Sequence, residues 1–196
     1  AVSMMTQGHR VFFNSKEMPN MAIISRIDGI LGGFDTSKVR RLQSGDPNIP
    51  ADEIDKLATS MVDSVTARLS SIPEGDIIFP DSPRTTPRAL FDAAMNERAT
   101  VIIADGVYLM EADDAAAKMM ARDWRAQAAI TSSIKSLALA TGIPFVGSTQ
   151  LKRGNGGEGG VGLDSLAFSD SFGQDSDIVI VMTKLGNRRV SLTLAK

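Results

Sequence analysis

Short apolar runs alternate along this chain with longer stretches of helical periodicity, and this alternation restricts the fold more than any other sequence feature. The pattern is typical of an α/β domain, in which helices cover both faces of a largely parallel twisted sheet. The last two runs flank Leu185–Arg188, which predicts a β-hairpin at the C-terminal end. Six runs are predicted as strands: 10–14, 76–79, 100–104, 144–148, 177–182 and 190–194.

Three amphipathic stretches are predicted as helices, and their ends carry recognisable signals. Thr86 is suited to be the N-cap of a helix over 87–98, because proline follows it at the first helical position. A helix over 50–71 carries apolar residues at helical spacing, so we expect one face to pack on the sheet. An alanine-rich helix over 115–140 ends where Gly142 supplies a cap before a proline.

The composition excludes several classes of protein. The 196 residues include no Cys, which removes disulfide frameworks, thiolate zinc sites and cysteine nucleophiles. A net charge of -2 argues against a protein that is basic all over, but it leaves room for a local basic groove. The longest strongly apolar stretches, such as Ile178–Met182, are far shorter than the roughly 18 residues that a membrane span needs. With no recognisable signal peptide, we expect a cytoplasmic protein without a membrane partner.

Polar residues follow three of the predicted parallel strands: Glu17, Asp105 and Gln150. Open α/β sheets bind their ligands just beyond the carboxyl ends of the strands. Asp105 is suited to hold Mg²⁺ through its waters, Glu17 to accept a proton from attacking water, and Gln150 to donate to a terminal phosphate. Taken singly, each also has an ordinary interpretation as a loop or helix-entry residue.

A glycine-rich segment over 153–162 follows Gln150. It formally matches the dinucleotide pattern, but the match comes from glycine density, no helix opens after it, and no acidic residue ends the next strand. We favour a loop along a phosphate backbone, with positive charge from Lys152 and Arg153; the alternative is a flexible surface linker. Three glycines would let backbone N–H groups approach DNA closely: Gly154, Gly156 and Gly157.

Four segments of the chain are similar, in order, to motifs of one known family. Phe12–Pro19 is similar to Phe-x-Ser-Leu-Glu-Met, and Ile102–Met110 is similar to Ile-Asp-Tyr-Leu-Gln-Leu-Met. Ser148–Arg153 is similar to Leu-Ser-Gln-Leu-Asn-Arg. Ser169–Asp177 is similar to Ser-Gly-Ser-Ile-Glu-Gln-Asp-Ala-Asp, and a strand follows it in both cases. Together they resemble the motor domain of DnaB-type replicative helicases, a branch of the RecA-like ATPases, over almost the whole chain.

The resemblance implies an ATP-dependent replicative helicase that translocates on single-stranded DNA as a homo-oligomeric, hexameric ring. ATP and Mg²⁺ would be its cofactors, and a primase or a helicase loader would be a further partner. Glu17 falls on the catalytic glutamate of the family, Asp105 on its metal aspartate and Gln150 on its sensor glutamine. Lys196 falls on a catalytic lysine that reaches toward the γ-phosphate of the neighbouring subunit.

The chain also departs from the family pattern. Departures within the motifs include Lys16 for Leu, Gly106 for Tyr, Tyr108 for Gln and Gly173 for Glu. The sequence contains no Gly-x-x-x-x-Gly-Lys-Ser/Thr phosphate loop. Ala1–Gln7 resembles the helix that follows this loop, so we expect the loop to precede residue 1. The family also has an arginine finger shortly after the lysine that Lys196 matches, so we expect an arginine finger to follow Lys196. We therefore expect residues 1–196 to form a single RecA-like domain. Without the phosphate loop and the arginine finger, this domain should hydrolyse ATP poorly when it is alone.

Two other functions stay open at this point. A strand-exchange recombinase or recombination mediator would share the fold and also place a DNA loop after a glutamine. A non-catalytic scaffold would be a degenerate ATPase that had lost its phosphate loop. A closed ring that separates a fork favours the helicase, whereas filaments that pair homologous strands favour the recombinase.

Overall fold

The computed structural model describes residues 1–35, 37, 50–114, 124–150, 171–186 and 189–196. The helices are α1 Val2–Met5, α2 Asn20–Gly32, α3 Ala51–Leu69, α4 Pro87–Asn96, α5 Trp124–Thr141 and α6 Ser171–Asp175. The strands are β1 Arg10–Ser15, β2 Asp76–Ile78, β3 Val101–Asp105, β4 Phe145–Gly147, β5 Ile180–Leu185 and β6 Arg189–Leu194. A single 3₁₀ turn, Val107–Leu109, follows β3 within these residues. None of the described helices is long and apolar enough to cross a membrane.

The six strands form two sheets. Four are parallel in the order β2-β1-β3-β4, and β5 and β6 form a separate antiparallel hairpin. The central strands β1 and β3 are mostly buried, whereas the edge strands β2 and β4 are more exposed. The predicted α/β class, with a largely parallel sheet and a C-terminal hairpin, is therefore confirmed, although β5 begins later along the chain than predicted.

The core lies between the central strands and helices α4 and α5. Its largest side chains are at most 1% exposed: Phe12, Ile102, Leu90, Phe91 and Ile130. Full burial of such a side chain contributes about 1.5–3 kcal/mol. This packing fixes the two helices against one face of the sheet and holds β1 and β3 in register.

Helix ends follow the sequence signals closely. The Thr86 side chain accepts a hydrogen bond from the Ala89 N–H over 3.3 Å, and Pro87 is the first residue of α4. Helix α5 ends at Thr141, and the Gly142 N–H donates to the Ala138 carbonyl over 2.9 Å. The φ of 70° at Gly142 lies in the left-handed region that favours glycine. Both predicted caps are confirmed.

The packing partner of α3 differs from the prediction. Its apolar face meets α2 rather than the sheet. A methyl group of Val65 lies 3.2 Å from the position that a Cβ on Gly32 of α2 would take. The period of 3.6 residues correctly identified an apolar face, but it carries no information about which element that face contacts.

Candidate active site at the carboxyl edge of the sheet

Parallel pairing brings the ends of β1, β3 and β4 to one edge of the sheet. The register places Ser15 beside Asp105 and Ala104 beside Gly147. Beyond β1, the Lys16 N–H donates to the Asp105 carbonyl over 3.0 Å, so the chain still follows β3 as it leaves the sheet. Glu17, Asp105 and Gln150 consequently lie at the same edge, as the strand ends predicted.

Two serine hydroxyls hold the Asp105 carboxylate. Ser15 Oγ donates to Oδ2 over 3.0 Å, and Ser148 Oγ donates to Oδ1 over 2.8 Å. Ser148 Oγ also accepts from the Gly106 N–H over 2.9 Å, which fixes its own orientation. Each carboxylate oxygen keeps a further lone pair. The carboxylate is therefore oriented and still able to accept hydrogen bonds from water.

Ser15 also shapes the turn that carries Glu17. Its Oγ accepts from the backbone N–H groups of Glu17, over 3.3 Å, and of Met18, over 3.0 Å. Such hydroxyl-to-backbone bonds stabilise a tight turn after a strand. The exposed Glu17 side chain folds back over Gly106, where a Cβ atom would stand 2.9 Å from Glu17 Cγ. One buried serine thus sets the positions of both carboxylates.

Tyr108 lies between Glu17 and Gln150. Its hydroxyl accepts a hydrogen bond from Gln150 Nε2 over 2.7 Å, and the Glu17 carboxylate is near enough for its charge to act on the phenol. Burial raises the pKa of Tyr108 above its ordinary value, and the nearby negative charges of Glu17 and Asp105 act in the same direction, although the Gln150 bond acts in the opposite direction. The phenol therefore keeps its proton at neutral pH and remains a donor.

A loop after β2 completes this edge of the sheet. The buried Asn14 makes two bonds with the Arg84 backbone: its Oδ1 accepts from the N–H over 2.7 Å, and its Nδ2 donates to the carbonyl over 3.2 Å. Asn20 Nδ2 donates to the Pro80 carbonyl over 2.8 Å. Beyond the end of β2, these side-chain amides bond to the loop backbone where a neighbouring strand would otherwise pair with β1. They hold the loop against β1 and the start of α2.

The remaining predicted site residues are not part of this cluster. Lys196 Nζ donates to the carbonyls of Gly173 and Gln174 over 2.9 and 3.0 Å, at the C-terminal end of α6. The five residues predicted to bind DNA lie outside the described residues: Lys152, Arg153, Gly154, Gly156 and Gly157. Within the described part of the chain, no three His, Asp or Glu side chains gather into a group that could enclose a metal.

Three residues of this arrangement were missed by sequence reasoning: Ser15, Ser148 and Tyr108. Ser15 and Ser148 could have been found from the pairing of β1 and β4 with β3, but that register follows from tertiary packing. Tyr108 carried a signal, since it stands where the resembling motif has glutamine. The hydrogen bond between Tyr108 and Gln150 depends on the 3₁₀ turn, and the sequence alone does not predict that turn.

Comparison with known proteins identifies the family. Residues 1–190 match the family model for the DnaB-like helicase C terminal domain. One solved structure, an ATPase domain, superposes with a TM-score of 0.75 at 17% identity, covering 100% of this chain and 69% of that chain. A structure of a DnaB-like replicative helicase and its interactions with primase gives 0.75 at 16% identity, covering 100% of this chain and 48% of that chain.

The likeness to these structures is a likeness of fold, since the identities are low, and the chain spans about half the length of the second of them. A search of curated proteins returned no match. The family model nevertheless covers nearly the whole chain. The chain therefore belongs to the family of DnaB-like helicase C-terminal domains, with the RecA-like fold that its motifs predicted.

Proposed function

We propose that this chain is the ATP-hydrolysing motor domain of a replicative helicase, which in the full-length protein translocates on single-stranded DNA as a hexameric ring. Family membership supports ATP hydrolysis, DNA binding and oligomer formation. The observation that carries the residue assignments is the meeting of Glu17, Asp105 and Gln150 at one edge of the sheet. A primase or helicase loader as partner, and a cytoplasmic location, extend the same proposal.

Asp105 is proposed to order Mg²⁺ through its waters. The residues fit this ion, because two hydroxyls orient an oxygen-donor carboxylate and leave lone pairs open toward solvent. When bound with ATP, Mg²⁺ would neutralise negative charge on the β- and γ-phosphates. The protein contributes the orientation of the carboxylate, which Ser15 and Ser148 set in advance.

Glu17 is proposed to accept the proton of the attacking water, while Gln150 donates to the γ-phosphate. Glu17 is exposed at the mouth of the site and held by its turn, which suits a base that meets a solvent molecule. Gln150 stands just before Lys152 and Arg153 in the sequence, so a change in its position would reach the proposed DNA loop. Lys196 is proposed to act toward the γ-phosphate of a neighbouring subunit.

The test is unwinding of a forked DNA duplex by the full-length protein with MgATP, using Glu17→Gln. We expect ATP turnover and strand separation to fall by about 100-fold or more, because a positioned base contributes roughly 10²- to 10⁴-fold, while nucleotide binding is retained. Glu97→Gln is the matched control, since Glu97 is an exposed glutamate just after α4.

Turnover that survives in Glu17→Gln would remove Glu17 from this role. ATP hydrolysis stimulated by DNA, but without strand separation, would move the assignment to the recombinase class. Absence of nucleotide binding in the folded full-length protein would favour the non-catalytic scaffold.

A further inference from the structure

Trp124 is the only tryptophan of the chain, and it is 61% exposed at the first turn of α5. Tryptophan is highly buried on average in folded proteins, because its ring is a large apolar surface. The next residues of this turn are well packed, since Ala126 and Gln127 are buried. The helix is therefore seated on the core while much of the indole stays in contact with solvent.

Arg125 lies against this indole. Its guanidinium carbon Cζ is 5.4 Å from the centroid of the ring, which is within the range of a cation–π contact. Arg125 is itself exposed, and it has no carboxylate partner among the described residues. A guanidinium covers only one face of the ring, so a planar ligand can stack on the other. The two side chains thus combine an open aromatic face with a positive charge.

The pair of Trp124 and Arg125 lies at the carboxyl edge of the sheet. Because β3 and β4 are parallel, the helix between them begins near the carboxyl edge and returns to the amino edge. In the first turns of α5, Gln127 Nε2 donates to the carbonyl of Tyr108, which follows β3, over 3.3 Å. The Tyr108 hydroxyl accepts from Gln150 Nε2 over 2.7 Å. Tyr108 therefore contacts both the helix that carries the pair and the residue before the proposed DNA loop.

An exposed aromatic ring beside a cation suits a base of single-stranded DNA. The bases of a single strand can stack on aromatic side chains, while positively charged side chains follow the phosphates. A partner that carried only negative charge would engage Arg125 and leave the indole without a planar ligand. The position of the pair, on the side of the sheet where DNA binding is proposed, also favours a nucleobase.

We propose that Trp124 stacks on a base of the bound single strand and that Arg125 contacts a neighbouring phosphate. The inference rests on the proposed function, in which single-stranded DNA binds at this edge. It adds a contact with a base to the phosphate contacts proposed for Lys152 and Arg153. Because every base has an aromatic face, this contact tolerates any DNA sequence.

The experiment measures binding of the full-length protein to a labelled thymidine oligonucleotide and to an abasic strand of the same length by fluorescence anisotropy. Trp124→Ala should raise the Kd for the thymidine strand about five- to 150-fold, the equivalent of one lost stacking contact. The Kd for the abasic strand, which has phosphates but no bases, should change by less than about twofold. Leu139→Ala is the matched control, because Leu139 is 73% exposed near the other end of α5, and both of its Kd values should be parental.

Salt dependence separates the two members of the pair. Trp124→Ala should keep the parental slope of log K against log salt, because loss of stacking removes no phosphate contact. Arg125→Ala should lower this slope by about 0.7. A parental slope in Arg125→Ala would exclude the proposed phosphate contact.

Three outcomes with Trp124→Ala or the parent decide the inference. A parental Kd in Trp124→Ala, or an equal rise for the thymidine and abasic strands, overturns it. A parental Kd together with a changed oligomer size overturns it as well, and would assign the ring to a contact between subunits. A parent protein that binds no single-stranded DNA contradicts the proposed function instead, so the two failures are distinct.

A second pair of variants applies if Trp124→Ala does not fold. Trp124→Phe keeps an aromatic face, whereas Trp124→Leu offers apolar surface without one. Tighter binding of the thymidine strand by the phenylalanine variant supports stacking. Equal Kd values in the two variants overturn it.

Discussion

The buried hydroxyl of Ser15 takes part in three hydrogen bonds, with Asp105 and with the backbone of Glu17 and Met18. At the residue scale, the site therefore depends on an uncharged side chain as much as on its two carboxylates. Such supporting groups matter because they fix orientation before the substrate arrives. Two substitutions test this support from different sides.

Ser15→Ala should weaken the use of Mg²⁺ by the full-length protein. Loss of the bond to Asp105 leaves the carboxylate less oriented, so we expect the Mg²⁺ concentration for half-maximal ATP turnover to rise about tenfold. Ser64→Ala, which removes an exposed hydroxyl bonded to the Ser60 carbonyl in α3, should have no such effect. A Mg²⁺ titration with the parental midpoint for Ser15→Ala would contradict the role of this hydroxyl.

Gly106→Ala should reduce turnover by more than its effect on stability explains. The φ of 86° makes alanine unfavourable by about 1–2 kcal/mol, and the added Cβ would stand 2.9 Å from Glu17 Cγ. Gly33→Ala is the comparison, since Gly33 has a φ of 69° with no atom within 4 Å of the added Cβ. Chemical denaturation should show similar destabilisation of the two variants, whereas ATP turnover should fall only in Gly106→Ala.

At the scale of helices and strands, local rules placed the ends of elements and left their partners open. Thr86 and Gly142 were predictable because a cap depends on a few neighbouring residues. The partner of α3 and the pairing of Ser15 with Asp105 were not, because both depend on distant parts of the chain. Glu17 and Asp105 could be predicted because each follows a predicted strand. The hydroxyls of Ser15 and Ser148 could not, because their contact with Asp105 depends on how β1 and β4 pair with β3.

The ion pair between Lys135 and Asp177 joins α5 to the segment before β5. The hydrogen bond from Lys135, and then its charge, lower the pKa of Asp177. A carboxyl with a lowered folded pKa stabilises the fold above its ordinary pKa and loses that contribution as the pH falls through the lowered value. Lys135→Met should therefore raise the Asp177 pKa toward its ordinary value in an NMR carboxyl titration. The same pKa in Lys135→Met and in Lys56→Met, whose lysine pairs with Asp52, would contradict this effect.

At the scale of the whole molecule, the fold and family could be predicted because four motifs occur in one order along nearly the entire chain. The position of this chain in an assembly could not be predicted in the same way, because the role proposed for Lys196 requires a second subunit. Charge is also a property of this scale: with a net charge of -2, binding to DNA must depend on a local concentration of positive side chains.

Replacing Lys152 and Arg153 together by alanine should weaken single-stranded DNA binding and reduce its salt dependence. Each lost phosphate contact lowers the slope of log K against log salt by about 0.7, so the double variant should lose about 1.4. Fluorescence anisotropy over a range of salt concentrations measures this slope. Lys56→Ala on the exposed face of α3 is the control. A parental slope in the double variant would exclude these two residues from phosphate contact.

The pairing of Ser15 with Asp105 also limits how the length of this chain can vary during evolution. Removing or adding one residue in β1 would turn the following side chains to the opposite face of the sheet. Asp105 would lose Ser15, one of its two hydroxyl partners, and the same change would displace Glu17 from its turn. Gaps in alignments of related chains should therefore avoid the stretch from Arg10 to Glu17, even where its individual residues are freely exchanged.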